Sequence, residues 1–294
     1  RCMIHLCTSG STGTPIELWR TVETSRRWYA IAELRWKRWH GVSRRDRWGM
    51  IAGQLVTARG RSKPPFWVWN AAMRQLYLSS YHLMPSNTGA YLEAMREYRL
   101  SYLWGYTSSL FALASEALRQ NISPPPMKMV GTEGEPVSPY QRETIEQAFS
   151  CRLIETYAMG ELVVAAGECE HGVLHLWPEA GYAEVVEPGG CKASAAGDLV
   201  ATGLFNPEMP LIRYRTGDQV DLDHSASSCA CARTLPVLKK IEGRSDDSLF
   251  SVDGFAVGRL SPVPKGLPVR QIQFVQEKFG WIKVRFVPTE EWNG

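Results

Sequence analysis

The chain has 294 residues, 33 Lys+Arg against 30 Asp+Glu, 44% hydrophobic residues and 21% charged residues. That composition is globular and excludes disorder or a collagen-like repeat, and a net charge of +3 does not by itself argue for nucleic acid or a membrane surface. No apolar run reaches the roughly 18 residues of a membrane-spanning helix.

In chain order, Met3–Cys7 reads as a strand that is broken by Thr8-Ser9-Gly10-Ser11-Thr12-Gly13-Thr14-Pro15, and an alternating strand pattern resumes at Ile16 and Leu18. No signal peptide is visible, and because Arg1 leads straight into a strand the natural N-terminus is expected upstream. An amphipathic helix is expected from about Glu23 to Trp39, with Ala30, Ile31 and Leu34 toward the core. Five Trp (Trp19, Trp28, Trp36, Trp39, Trp48) interleave there with nine basic residues between Arg20 and Arg47. Solvated arginines on a helix explain this pattern better than a single-strand nucleic-acid platform. Short apolar runs stand at 49–52, 66–69 and 76–83; strands are expected at 102–106, 128–131 and 152–157, and helices at 91–98 and 108–118. A further helix starts at Ser138-Pro139-Tyr140-Gln141, where Ser caps, Pro suits the first turn and Gln reaches back. The alternation predicts an α/β layer with a parallel sheet.

From 161 to 242 the chain reads as mostly β. Val173–Trp177 and Tyr182–Val186 flank Pro178-Glu179-Ala180-Gly181 as a hairpin signature, and short strands follow at 198–203, 211–215 and 220–222. Residues 245–294, with strand-like runs at 272–275 and 281–286, read as the start of a second, small domain. No internal repeat or low-complexity tract is present.

Thr8–Pro15 offers hydroxyls and backbone N–H groups to phosphate oxygens, but it is neither a Walker loop nor a dinucleotide fingerprint. Four further motifs follow it: Gly134-Glu135-Pro136, Thr156-Tyr157-Ala158-Met159-Gly160-Glu161, Tyr214-Arg215-Thr216-Gly217-Asp218, and Gly243-Arg244-Ser245-Asp246-Asp247. In this order the set resembles the adenylate-forming superfamily of acyl-CoA synthetases, luciferases and peptide-synthetase adenylation domains. The branch it resembles is that of phenylacetate–CoA ligases and CapK-type proteins of capsular polysaccharide biosynthesis. Asn206 to Asp218, Glu168-Cys169 with Leu174-His175, and Cys229-Ala230-Cys231 carry that narrower likeness, while Asp253-Gly254, Gly258-Arg259 and Ile272-Gln273-Phe274 lean to the CapK side.

The resemblance implies a large ATP-binding domain over residues 1–244, with a β-rich lobe at about 161–242 and a small mobile domain starting at 245. It implies ATP-dependent activation of a carboxylic acid as an acyl-adenylate, with CoA or another thiol or amine as the acceptor; the alternative is a catalytically weak or inactive CapK-type nucleotide-binding protein. Thr8, Ser9, Gly10, Ser11, Thr12, Gly13 and Thr14 would hold the β- and γ-phosphates, and Gly134 and Glu135 would precede the adenine pocket. Tyr157 would stack on adenine and Asp218 would accept from the ribose hydroxyls. Arg244 would reach the ribose or the phosphates, Glu161 would hold Mg²⁺, and Asp246 would be the hinge. Glu161, Arg244 and Thr12 are the groups expected to act on the reacting phosphates. Trp104, Gly105 and Tyr106, with Ser109, resemble the acid-lining segment.

Three positions depart from the family pattern: Ile16 stands where Lys is common, Ala158 where Gly is usual, and Gly160 where Thr or Ser usually precedes the metal-binding Glu. No position matches the catalytic Lys of the small domain, so residues 1–294 alone are expected to show negligible acid-dependent pyrophosphate exchange.

Seven cysteines are an odd number and do not read as a secreted disulfide framework, which argues for a reducing, cytoplasmic setting. Cys169-x-His171-x-x-x-His175 and Cys229-x-Cys231 supply N and S ligands for tetrahedral Zn²⁺. The expected set is Cys169, His175, Cys229 and Cys231, with His171 as the substitute; free thiols are the other reading.

Overall fold

The computed structural model describes residues 2–7, 16–223, 229–244, 249–253, 256–257 and 268–288. Strand β1 (Met3–Cys7) pairs antiparallel with β2 (Glu17–Thr21), and helix α1 (Val22–Ala32) follows. Then come β3 (Trp48–Ala52), β4 (Trp67–Asn70), β5 (Gln75–Ser79), α2 (Thr88–Glu97), β6 (Tyr102–Tyr106), α3 (Thr107–Arg119), β7 (Met129–Glu133), α4 (Pro139–Phe149) and β8 (Leu153–Ala158). The β-rich part holds β9 (Ala165–Glu168), β10 (Leu174–Leu176), β11 (Gly181–Val186), β12 (Ala196–Gly203), β13 (Tyr214–Asp223) and β14 (Val237–Arg244). Short β15 (Leu249–Phe250) pairs with β16 (Ala256–Val257), and β17 (Val269–Lys278) with β18 (Trp281–Pro288).

One sheet of 12 strands, in the order β11-β12-β13-β14-β10-β9-β8-β7-β6-β3-β5-β4, carries the molecule. Neighbours from β8 to β5 run parallel; β4 and every strand from β9 to β11 pair antiparallel. This is the α/β architecture with a β-rich extension that the sequence predicts. No helix among the described residues is long and apolar enough to cross a membrane.

Period-two alternation explains the parallel half. Leu103 on β6 and Val130 on β7 face α2, α3 and α4, whose Leu92, Leu110, Leu113 and Ile145 complete the main core. Tyr102 and Trp104 face the other way, with Met129, Ile154, Trp48 and the edge of Trp36. A Cβ on Gly131 would stand 2.5 Å from the Trp104 ring, so glycine there lets the indole lie against β7. The Ser138 hydroxyl accepts from Gln141 N, and the Gln141 side chain accepts from Ser138 N, which completes the expected capping box of α4.

Three expectations are corrected. The first helix is α-helical only to Ala32 and continues as a wide π turn over Glu33–Lys37 and a 3-10 turn to His40. Its buried stripe is Thr24, Trp28 and Ala32, with Trp36 behind, whereas Ala30 and Leu34 are exposed. The indoles bury more apolar area than Leu34 offers, and Trp28 and Trp36 both reach Trp177.

The hairpin expected across Pro178–Gly181 does not form. β10 pairs with β9 and β14, while β11 pairs with β12 at the sheet's far edge. The turn that closes at Ala180, whose N–H bonds to the Trp177 carbonyl, separates strands instead of pairing them. Finally, the two short strands expected at 211–215 and 220–222 are one strand, β13, kinked by irregular pairing with both neighbours.

Most of the interleaved aromatic residues pack within the fold, and Trp19 stays exposed. Trp28 and Trp48 are buried, Trp39 lies under the Arg233 guanidinium at 4.2 Å, and Trp19 stacks on His5.

Candidate functional site

Two of the sequence motifs meet where the parallel and antiparallel halves of the sheet adjoin. β8 carries Tyr157, and the turn after it carries Glu161, which is 8% exposed. Leu162 closes that turn in the left-handed region at φ 58°, a conformation uncommon for a branched side chain, with its side chain held in the Trp28–Trp177 cluster. On β13, Gly217 takes φ +82°, and the Thr216 hydroxyl accepts from Asp218 N, so the strand bulges and turns Asp218 toward Tyr157. The Tyr157 hydroxyl donates to Asp218 Oδ2 at 2.6 Å, and the Tyr214 hydroxyl donates to Glu161 Oε1 at 3.0 Å. Across the ladder, the backbone of Arg244 on β14 stands directly opposite Asp218. Glu161, Tyr157, Asp218 and the Arg244 backbone are thus brought together. The Thr8–Thr14 loop (Thr8, Ser9, Gly10, Ser11, Thr12, Gly13, Thr14) and the hinge Asp246 lie outside the described residues. Among the described residues a Cβ on Gly160 would meet Leu18 Cδ1 alone, at an ordinary 3.6 Å.

Gly134 has φ +72° and follows β7. The Glu135 carboxylate accepts from Ser108 N at 2.7 Å and from the Ser108 hydroxyl at 3.0 Å, which satisfies the start of α3. It therefore ties the Gly134–Pro136 turn to the segment that contains Tyr106. Trp104 is 4% exposed and lies in the core, and a Cβ on Gly105 would come within 2.3 Å of the Ile51 carbonyl. Of the three acid-pocket residues, Tyr106 alone is partly exposed. Glu135→Ala is expected to destabilise the fold by about 1–2 kcal/mol, the usual cost of a lost charged cap, read as a lower urea midpoint. An unchanged midpoint would show that the cap is dispensable.

The cysteine–histidine set converges as expected. Cys169 follows β9, His175 is the middle residue of β10, and Cys229 and Cys231 lie in the turn before β14. Because β10 pairs with both β9 and β14, the three segments arrive side by side. The four ligand atoms lie within 4.8 Å of one another, with Cys169 Sγ 3.7 Å from Cys229 Sγ and Cys231 Sγ 3.3 Å from His175 Nε2. Two thiolates at about 2.3 Å from one tetrahedral ion stand about 3.8 Å apart, so the spacing fits zinc without rearrangement. His171 contributes its backbone N–H to Cys169 Sγ at 3.4 Å, and its ring is not in the set. Burial raises both thiols of the CxC turn, but hydrogen bonds from the Arg233 backbone and neighbouring groups outweigh it at Cys231. Its pKa falls below the ordinary value, while that of Cys229 is pushed up to about 11.

Sequence reasoning missed what braces this cluster. Glu168, 3% exposed, receives Arg142 Nη2 at 2.9 Å and Glu155 N at 2.8 Å, with Arg152 at 3.7 Å. Its carbonyl also meets His40 Nε2 at 2.9 Å. Nothing local in the sequence links Arg142 to Glu168; a buried acid beside a ligand cysteine was the one available hint.

No protein-family profile matches the chain. Over 253 residues it is 27% identical to Protein CapK of Staphylococcus aureus, covering 85% of this chain and 54% of that protein. It is 30% identical over 169 residues to phenylacetate-coenzyme A ligase of Pseudomonas putida, covering 54% of this chain and 37% of that one. The chain therefore spans about half or less of the length of these relatives. A crystal structure of 2-hydroxyisobutyryl-CoA ligase in the postadenylation state, in complex with R3-HIB-AMP, superposes with a TM-score of 0.62 at 19% identity, covering 98% of this chain and 62% of the ligase. The fold is that of the adenylate-forming ligases. The same enzyme in complex with 2-HIB-AMP and CoA, in its thioesterification state, gives a TM-score of 0.60 at 21% identity over 98% of this chain and 63% of that one. The fold is the one the motifs implied, and the named relatives are of the two kinds that the motifs resemble.

Proposed function

We propose that the protein containing this chain activates a carboxylic acid with ATP as an acyl-adenylate and passes the acyl group to CoA. The observation that carries this reading is the meeting of Tyr157, Glu161 and Asp218, from two distant motifs, opposite the Arg244 backbone. Asp218, acceptor-rich, would take the ribose hydroxyls, and the Tyr157 ring would lie along adenine. Among the described residues the one hydrogen bond to the Glu161 carboxylate comes from Tyr214 to Oε1, which leaves Oε2 for a hard cation such as the Mg²⁺ that accompanies ATP. Thr12, its loop neighbours and Arg244 would face the phosphates, where catalysis is mostly positioning and charge screening. Glu135 spends its carboxylate on α3 and with Gly134 would shape the adenine side through the backbone, next to an acid site at Trp104–Tyr106.

In the same reading residues 1–244 are the large domain and residues from 245 begin a small domain hinged at Asp246. Zn²⁺ sits on Cys169, His175, Cys229 and Cys231, where four protein ligands leave no open position, so its role is structural. Seven cysteines held as thiols or zinc ligands suit a cytoplasmic location.

A second reading, a CapK-type nucleotide-binding protein of polysaccharide assembly with weak or no catalysis, is favoured by the longer match to CapK and by Gly160. Acid-dependent pyrophosphate exchange by the intact protein separates the two. For nucleotide binding itself, Asp218→Ala combined with Ser11→Ala is expected to weaken ATP affinity by at least about tenfold in calorimetry, since each removes a hydrogen bond to a polar or charged ligand group. Unchanged affinity would refute the site.

A further inference from the structure

The two motifs hold each other through a reciprocal pair of bonds. In each, a tyrosine precedes a carboxylate by four residues: Tyr157 and Glu161 in one, Tyr214 and Asp218 in the other. Each tyrosine donates to the carboxylate of the opposite segment, at 2.6 Å for Tyr157 to Asp218 and at 3.0 Å for Tyr214 to Glu161. Glu161 sits on a turn closed by a left-handed Leu162 and is 8% exposed. The backbone does not fix the torsions of its side chain, and the bond from Tyr214 to Oε1 restrains the carboxylate. Tyr214 is itself anchored on the lobe's apolar core and on a strand paired on both sides.

We propose that Tyr214 is the positioning residue for the divalent cation of the nucleotide complex. By holding Glu161 Oε1 it aims Oε2 at the cation, while the matching Tyr157 bond presets Asp218. This rests on the reading of Glu161 as the metal-binding carboxylate. The phenol also removes one acceptor site from Glu161, so the cation meets a single oriented oxygen instead of a rotating pair. A hydrogen bond to a charged group has a net effect large enough to be read as about a tenfold change in an equilibrium constant.

The test is ATP binding by calorimetry on the intact protein, at a series of free Mg²⁺ concentrations and in excess EDTA. Tyr214→Phe keeps the ring and removes the donor. It is expected to raise the Mg²⁺ concentration that half-maximally tightens ATP binding by about tenfold, with ATP affinity in EDTA unchanged. Tyr157→Phe is expected to do the reverse, weakening ATP in both conditions and leaving the Mg²⁺ dependence alone. Glu161→Gln is expected to abolish most of the Mg²⁺ dependence, and adding Tyr214→Phe to it should change nothing more. A wild-type Mg²⁺ dependence in Tyr214→Phe, with Glu161→Gln impaired, overturns the positioning role alone. Equal loss with and without Mg²⁺ in Tyr214→Phe also overturns it, because the tyrosine would then be supporting the lobe generally. A normal Mg²⁺ dependence in Glu161→Gln overturns the assignment of Glu161 and this inference with it.

Discussion

If zinc fills the Cys/His cluster, its removal is expected to lower the melting temperature of the protein by about 10 °C, and Cys169→Ser is expected to reproduce the loss. Structural zinc contributes roughly 10–16 kcal/mol in isolated zinc-finger peptides that lack any other core. Here the lobe has its own apolar core of Val163, Val185, Leu199, Val220 and Leu238. A smaller share, about 4 kcal/mol, is therefore expected, and at about 2–4 °C per kcal/mol it gives the stated shift. The loss is local. Backbone amides of β9, β10 and β14 should lose hydrogen-exchange protection, while β6 and β7, in the main core, keep theirs. ATP affinity should fall with it, because Asp218 lies on β13, which pairs with β14. Elemental analysis of protein purified without added metal is the companion measurement. A zinc-free protein that melts identically with and without chelator would leave the cluster as reduced thiols only.

Glu155→Gln is expected to stabilise the protein at pH 8 by about 2–3 kcal/mol and to have little effect near pH 4.5. Burial first, and then the neighbouring Glu168 carboxylate, raise the Glu155 pKa from its ordinary 4.5 to about 7, against the pull of Arg142. With the folded pKa above the unfolded one, the folded state binds the extra proton. Stability is then full below about pH 4.5, falls as pH rises toward 7, and stays low above it. The rise from 4.5 to about 7, at roughly 1.4 kcal/mol per pH unit, sets an upper bound of about 3.5 kcal/mol. Glutamine copies the protonated acid, so its advantage should open across that window in urea melts at several pH values. Arg142 is not stranded by the change, since Glu168 at 2.9 Å and Glu146 at 3.8 Å remain. If glutamine destabilises equally at every pH, the Arg142–Glu155 attraction outweighs desolvation and the sign is reversed.

What could be read from the sequence was set by how local the cause is. β6 at Tyr102–Tyr106 and the α4 cap at Ser138 follow from alternation and from four contiguous residues. The cysteine–histidine set was readable because few residue types bind zinc, with His175 preferred to His171 from the outset, and the pairing of β10 supplies the geometric reason for that preference. The π turn after Ala32 was not readable, since Trp36 earns its place only from Trp104 and Trp177, far along the chain. Strand partners of β10 and β11 were misassigned for the same reason: a turn sequence shows where the chain bends, and the sheet decides what it bends toward. The motifs named Glu161 and Asp218, but the role of Tyr214 depends on a bond across 53 positions.

The position of β10 also sets an order of assembly. The parallel strands β3 to β8 are contiguous in the chain apart from the antiparallel edge strand β4, so they can associate while later residues are still being synthesised. β10 cannot complete its pairing until β14 is made, because β14 lies between it and β13 in the sheet. Cys169 and His175 wait for partners 60 and 56 positions further on. Until the Cys229–Cys231 turn emerges, the half-built site exposes one thiol and one imidazole and an open sheet edge, a combination that invites mispairing. Closure of the Cys169–His175–Cys229–Cys231 cluster would then mark the moment at which the lobe, and with it Asp218 on β13, reaches its final register.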